Sequence, residues 1–328
     1  MPREPELKKI LWAAACCAVP IAAPAWGQAD QYPARPLRII VPFAPGGSVD
    51  LLSRLVGARL SESLGQQVIV DNRSGASGNI GTELAARAAP DGYTLLVNTT
   101  PFVVNTVLFS RVPYDVMNDF APVAWLTSSP SLLTVHPSLP VRSVRELLAL
   151  AKSRPGELNY SSAGPGTNPH ISGELFNHLG KVNIVAIHYK GGGPGLVAAA
   201  SGEVQVTFTN IAETTAYVKA NRLRAIAVSS LKRSKIMPDL PTVAESGLPG
   251  YEFVAWHGML APKGTPRAVV ALLNERVRKT MTAPEQAKRY DDLGLDVVAS
   301  TPEELSAHLA RELKKWGPVV RERGMRAE

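Results

Sequence analysis

Short apolar runs that read as strands alternate along this chain with runs of helical periodicity, and glycine turns separate them. Leu37 to Val41 is strand-like, and Leu51, Leu52, Leu55, Val56 and Leu60 then recur at helical spacing up to Gly65, a natural helix stop. Gln67 to Val70 reads as a second strand, and Ile80, Leu84, Ala85 and Ala88 as a second helix. The turn Pro90-Asp91-Gly92 precedes a third strand, Tyr93 to Val97. Such an order requires a parallel sheet with helices on both faces. A second series has strands at Leu132–Val135, Leu158–Ser161, Ile184–Ile187, Val204–Phe208 and Arg224–Val228, with helices at Val144–Ala151, Ile171–Leu179 and Ile211–Lys219. The tail has a strand-like Phe253–Leu260 and three helical patterns, Val269–Met281, Pro284–Leu293 and Pro302–Arg321. The expected class is α/β, and 328 residues suffice for two such domains with cores.

Two of the turns are specific. Pro45-Gly46-Gly47-Ser48 and Ser162-Ala163-Gly164-Pro165-Gly166-Thr167 each follow a strand-like run and precede a helical one. A glycine turn there leaves backbone N–H groups free at a helix N-terminus, which suits an anion. Two such turns, far apart in sequence, can close on one small anion from opposite sides. Ser48 is expected to cap its helix and offer a hydroxyl, and Asp50 to cap rather than touch a ligand. Glycine and proline also punctuate any α/β protein, so plain connection is the alternative for each turn. Thr99 and Thr100 fall at the end of a strand, where ligand contacts gather in open α/β sheets. Lys190 with Gly191 is either a charge partner for an anion or a solvated surface residue, and Thr209 follows another strand.

The N-terminus reads differently. Arg3, Lys8 and Lys9 precede the apolar run Ile10–Ala25, and small residues follow, which is the pattern of a signal peptide over 1–29 cleaved between Ala25 and Ala29. The run is shorter than the roughly 20 residues of a membrane span and holds Pro20 and Pro24. Lipid attachment at Cys16 is a further alternative, but Ala13-Ala14-Ala15 lacks the large apolar residue that would precede it. Both cysteines, Cys16 and Cys17, fall in this leader, so the mature chain is expected to carry no thiol and to reside in a periplasm. The net charge of +7 is scattered, with no aromatic residues interleaving a basic run, which argues against nucleic acid and for a surface that attracts anions.

Catalytic signatures are missing from the sequence. There is no Gly-x-Ser-x-Gly, no His-Glu-x-x-His and no phosphate loop. His136, His178, His188, His257 and His308 lack metal-ligand spacing. Gly191-Gly192-Gly193-Pro194-Gly195 contains a proline and lacks the downstream acid of a dinucleotide turn. No enzyme, cofactor or metal is expected.

Several strings, in order, resemble the Bug family, the TctC-like solute-binding proteins of tripartite tricarboxylate transporters. They are Ile40-Val41-Pro42-Phe43-Ala44-Pro45-Gly46-Gly47 with Asp50, Val70-Asp71-Asn72-Arg73-Ser74-Gly75-Ala76-Ser77-Gly78-Asn79-Ile80-Gly81, Pro90-Asp91-Gly92-Tyr93-Thr94-Leu95-Leu96, Pro155-Gly156-Glu157-Leu158-Asn159-Tyr160, Tyr189-Lys190-Gly191, Pro241-Thr242-Val243-Ala244-Glu245-Ser246-Gly247 and Ala261-Pro262-Lys263-Gly264-Thr265-Pro266. The resemblance implies a two-lobed periplasmic binding protein of type II-like architecture, with parallel-rich sheets, a ligand cleft between lobes and two crossings. Lobe 1 would take 30–127 plus 255–328, and lobe 2 128–254. It implies a monomer that captures a small carboxylate (a di- or tricarboxylate, acidic amino acid or aromatic acid) and delivers it to membrane permease subunits. A sensing partner of a receptor kinase without a cognate permease is the second reading. The implied ligand-binding residues are Gly46, Gly47, Ser48, Thr99, Thr100, Ser161, Ser162, Gly164, Gly166, Thr167, His170, Lys190, Gly191 and Thr209, which solvate the carboxylate with amides, hydroxyls and held waters. The family usually has Gly-Ser where this chain has Ser161-Ser162, and often Ser at Thr167.

Overall fold

A computed structural model describes residues 32–322 and 324–326. The signal segment expected over 1–29, with Cys16 and Cys17, lies outside the described residues. The chain runs β1 (Leu37–Val41), α1 (Ser48–Leu64), β2 (Val68–Asn72), α2 (Asn79–Ala86), β3 (Thr94–Thr99), α3 (Pro101–Leu108), β4 (Phe120–Val135) and α4 (Val144–Ser153). It continues through β5 (Asn159–Ser162), α5 (Asn168–Gly180), β6 (Val185–His188), α6 (Gly192–Ser201), β7 (Val206–Asn210), α7 (Ile211–Lys219) and β8 (Arg224–Val228). It ends in β9 (Val254–Pro262), α8 (Arg267–Met281), α9 (Ala287–Asp292), β10 (Asp296–Val297) and α10 (Pro302–Glu322).

The strands lie in the order β2-β1-β3-β9-β4-β7-β5-β6, with β8 and β10 also paired to β4. β1 is parallel to β2 and β3, and β5 is parallel to β6 and β7. Each half therefore repeats one plan: three parallel strands, the first in the middle, each followed by a helix. β1, the central strand of the first half, is apolar, as burial on both faces demands, with Ile39, Ile40 and Val41 fully buried. α1 buries one stripe, Leu52, Val56 and Leu60, and ends at Gly65, whose left-handed φ of 66° lets its N–H donate to the Ser61 carbonyl. The halves are joined by the long antiparallel pair β4 and β9. Residues 120–130 of β4 pair with β9, and residues 131–135 pair with β7 and β8. α10 covers this junction. Its Glu312 carboxylate accepts hydrogen bonds from the buried indoles of Trp256 (3.3 Å) and Trp316 (2.8 Å).

Five features differ from the sequence reading. α3 and the first twelve residues of β4 were not expected. The glycine run 191–195 is not simply a turn, because α6 starts at Gly192. The pattern Pro284–Leu293 divides into a 3-10 turn, Pro284–Gln286, and α9. The cap of α1 is Gly47, with no side-chain hydrogen bond, so neither Ser48 nor Asp50 caps it. Instead the Asp50 carboxylate accepts from the Gly46 N–H (2.9 Å), Arg54 (3.1 Å) and Asn72 (2.9 Å), bracing the turn from behind. Burial alone would raise its pKa, but Arg54 and these donors outweigh it and hold the carboxyl below the usual range.

Candidate ligand cavity

The carboxyl ends of the six parallel strands in the two halves open onto one cavity of about 850 Å³. Every strand-to-helix junction contributes to its wall. Pro42–Val49 lead from β1 into α1; Ser74, Gly75, Ser77 and Gly78 from β2 into α2; Thr99 and Pro101 from β3 into α3. From the other half come Ala163, Thr167, Asn168 and Pro169 before and within α5, Lys190–Pro194 at α6, and Thr209, Asn210 and Glu213 at α7. Six helices thus begin at the cavity. Five of them, α1, α2, α3, α5 and α6, have no side-chain hydrogen bond at the cap. A helix N-terminus carries roughly half a positive charge in unsatisfied N–H groups. The wall is therefore electropositive although Lys190 is its single formal cation among the described residues, and that lysine is exposed.

Of the residues read from the sequence, Gly46, Gly47, Ser48, Thr99, Thr167, Lys190, Gly191 and Thr209 line the cavity, while Thr100, Ser161, Ser162, Gly164, Gly166 and His170 do not. The latter form the frame behind the wall. Thr100 is fully buried at the start of α3, and Ser161 packs against the position of Gly195. Ser162 Oγ accepts from the Gly164 N–H (3.2 Å) and lies 3.1 Å from His188 Nδ1. Thr167 Oγ1 donates to the Gly164 carbonyl (2.7 Å). Gly164 and Gly166 take φ of 121° and 73°, conformations that favour glycine. His170 is the third residue of α5, and its Nδ1 accepts from the Gly166 N–H (3.1 Å). That bond fixes the neutral tautomer with its proton on Nε2. Burial, against a smaller opposing pull from Glu174, takes its pKa down to about 4.

The sequence reading missed the floor. Ser129 and Ser131 of β4 and Ala255 and His257 of β9 lie there. The pairing register puts Thr99, His257 and Thr127 in one row across three strands. His257 Nδ1 is 2.9 Å from Thr127 Oγ1, while His257 Nε2 and Thr99 Oγ1 have no hydrogen-bond partner. Burial takes the pKa of His257 down to about 4. Glu213 was missed as well, although an acid three residues beyond a strand end, Asn210, was a usable signal.

These histidines fix a pH dependence. His170, His257 and His308 (the last lowered to about 4 by burial, then by Arg311 and Lys315) bind a proton near pH 6.5 when unfolded but only near pH 4 when folded. A group with a depressed folded value of this kind contributes its full stability above pH 6.5 and loses it as pH falls toward 4. Thermal denaturation of the ligand-free protein should show stability level from pH 8 to 7 and falling by about 1–2 kcal/mol per histidine by pH 5. A flat profile between pH 7 and 5 contradicts the buried neutral histidines.

No helix among the described residues is long and apolar enough to cross a membrane, and no group of three or more His, Cys, Asp or Glu there could hold a metal ion. Residues 52–325 match the model of the tripartite tricarboxylate transporter family receptor. The chain belongs to that family. It is 38% identical over 306 residues to BugT of Bordetella pertussis, covering 93% of each chain. A protein of R. palustris solved with adipate superposes with a TM-score of 0.84 at 37% identity, covering 90% of this chain and 99% of that one. MatC from Rhodopseudomonas palustris with bound malate gives 0.81 at 33% identity, covering 88% and 100%. As a member of this tricarboxylate-receptor family, the protein has the two-lobed periplasmic binding protein fold and is a solute-binding receptor rather than an enzyme.

Proposed function

We propose that this receptor captures a small organic carboxylate in the periplasm and passes it to a tripartite tricarboxylate-type membrane transporter. One observation carries the reading: six helix N-termini converge on one cavity whose side chains, among the described residues, include a single, exposed cation. A carboxylate taken from water loses several kcal/mol unless hydrogen bonds replace its hydration. Backbone N–H groups at Gly47–Val49, with the hydroxyls of Ser48, Thr99 and Thr209, are the donors assigned here. Donors of this kind hold an anion without reacting with it. The relatives bound to adipate and malate support the same ligand class. The lobes are assigned to 30–127 plus 255–328 and to 128–254, so that β4 and β9 form the two crossings and the hinge.

A thermal-shift screen of carboxylates, neutral sugars and cations tests the ligand class. A carboxylate at a hundred times its Kd is expected to add about 2.7 kcal/mol of stability, a clear rise in melting temperature. Stabilisation by sugars or cations alone would overturn the reading. The transport arm is tested by uptake of the labelled ligand in a strain lacking the gene, where uptake should fall to background.

A further inference from the structure

Glu213 is a second charged side chain of the cavity wall, and its place there sets what a ligand can carry besides one carboxylate. It stands in the first turn of α7, whose cap is already made by Asn210 Oδ1 accepting from the Ala212 N–H (2.8 Å). The carboxylate is thus not needed at its own helix. It reaches across to α6 instead: a Cβ placed on Gly192, the first residue of that helix, would lie 3.3 Å from Glu213 Oε2. Among the described residues it makes no ion pair. It is solvent-accessible through the cavity mouth, but the surrounding walls strip enough water to raise its pKa. The Glu213 carboxylate thus stands beside the start of α6, whereas at α1 the Asp50 carboxylate is engaged by the Gly46 N–H and Asn72 and leaves Gly47–Val49 on the cavity wall.

We propose that Glu213 is a specificity residue that selects, on a ligand whose carboxylate lies at the α1 end, a distal group that donates a hydrogen bond, and that rejects a second carboxylate. The inference rests on the carboxylate-receptor reading and deepens it. A second carboxylate would meet Glu213 as a like charge with lone pairs on both sides and no proton between them. Lys190, an exposed residue of the same wall, forms no ion pair with Glu213. A hydroxyl, amide or ammonium in the same place satisfies Glu213 and keeps one anion for the helix ends of the first half.

The test uses titration calorimetry at fixed ionic strength and neutral pH with matched probes: succinate against 4-hydroxybutyrate, adipate against 6-hydroxyhexanoate and 6-aminohexanoate, and isophthalate against 3-(hydroxymethyl)benzoate. For the pair of the preferred length, the wild type should bind the donor-bearing acid at least about tenfold more tightly than the diacid. Glu213→Gln, which keeps size and adds a donor, should shift that ratio toward the diacid by at least about tenfold. The 6-aminohexanoate arm separates a cationic from a neutral donor. A diacid preferred by the wild type, or a ratio unchanged in Glu213→Gln, overturns the role of Glu213 while leaving the carboxylate reading intact. Failure of every acid to bind either protein overturns both.

Discussion

Gly47→Val is expected to lower carboxylate affinity about a hundredfold or more while leaving the ligand-free fold intact. The backbone at Gly47, φ −78° and ψ 168°, is extended and open to valine without strain. A Cβ built there meets nothing closer than the Ala44 carbonyl oxygen at 3.9 Å, so the substitution breaks no packing. The loss of a good cap residue costs about 1 kcal/mol or less, a fall of a few degrees in melting temperature for a protein of this size. The isopropyl group, however, fills the cavity where α1 presents its free N–H groups. A carboxylate can then no longer reach them, and the amides are covered by an apolar group. Gly46→Val is a poorer probe, because φ there is 89° and strain would add to any effect on binding. The measurement is a pair: melting temperature of the free protein and calorimetric Kd for the best acid. Affinity preserved in Gly47→Val would show that this turn is only a connection.

The parts of the fold legible in the sequence are those governed by local rules. β1, α1, α7 and β8 stand where their periodicity put them, because each is a single stripe or a short buried run bounded by glycine, asparagine or a charged residue. What was illegible depends on distant partners. The first part of β4 contains Pro122 and Pro130, which read as strand breakers. It is nevertheless a strand because its pairing with β9 shifts register near Pro122. α3 is eight residues long and apolar at all but Asn105 and Thr106, too short and too uniform to show a helical period. α6 opens with Gly192, Gly193 and Pro194, residues that look like a loop. Proline is tolerated in a first turn, and Gly195 allows a close approach to β5, since a Cβ there would lie 3.3 Å from that of Ser161. The site divides the same way. The glycine turns were visible because they are local. The floor at Ser129, Ser131 and His257 was not, because only the antiparallel pairing of β4 with β9 and β7 brings those residues under the helix ends.

The same closure argument makes Gly166 the more sensitive of the two glycines in the second turn. Both Gly164 and Gly166 have positive φ, 121° and 73°, so alanine at either one carries a backbone penalty of about 1 kcal/mol. They differ in their surroundings. A Cβ on Gly164 meets only Thr167 Cγ2 at 3.9 Å, within its own turn. A Cβ on Gly166 would lie 2.7 Å from Leu108 Cδ2 and 2.8 Å from Asn105 Oδ1, both on α3 of the other half. Asn105 cannot retreat freely, since its amide donates to the Ser77 carbonyl and to Asn79 Oδ1, each at 2.9 Å. Ser77 in turn donates to the Pro165 carbonyl at 2.8 Å, a direct hydrogen bond between the two rims of the cavity. Gly166→Ala is thus a wedge that acts only when the rims meet. The rims already meet in this structure, so the clash weighs on folding as well as on binding. Gly164→Ala should lower the melting temperature of the free protein by a few degrees, and Gly166→Ala by more. Gly166→Ala should in addition weaken binding about tenfold to a hundredfold, chiefly through faster release, while Gly164→Ala leaves affinity near wild type. Small-angle scattering with saturating ligand should then show a larger radius of gyration for Gly166→Ala than for wild type. Equal losses of affinity in the two variants would mean that the turn acts through its own conformation and not through contact across the cavity.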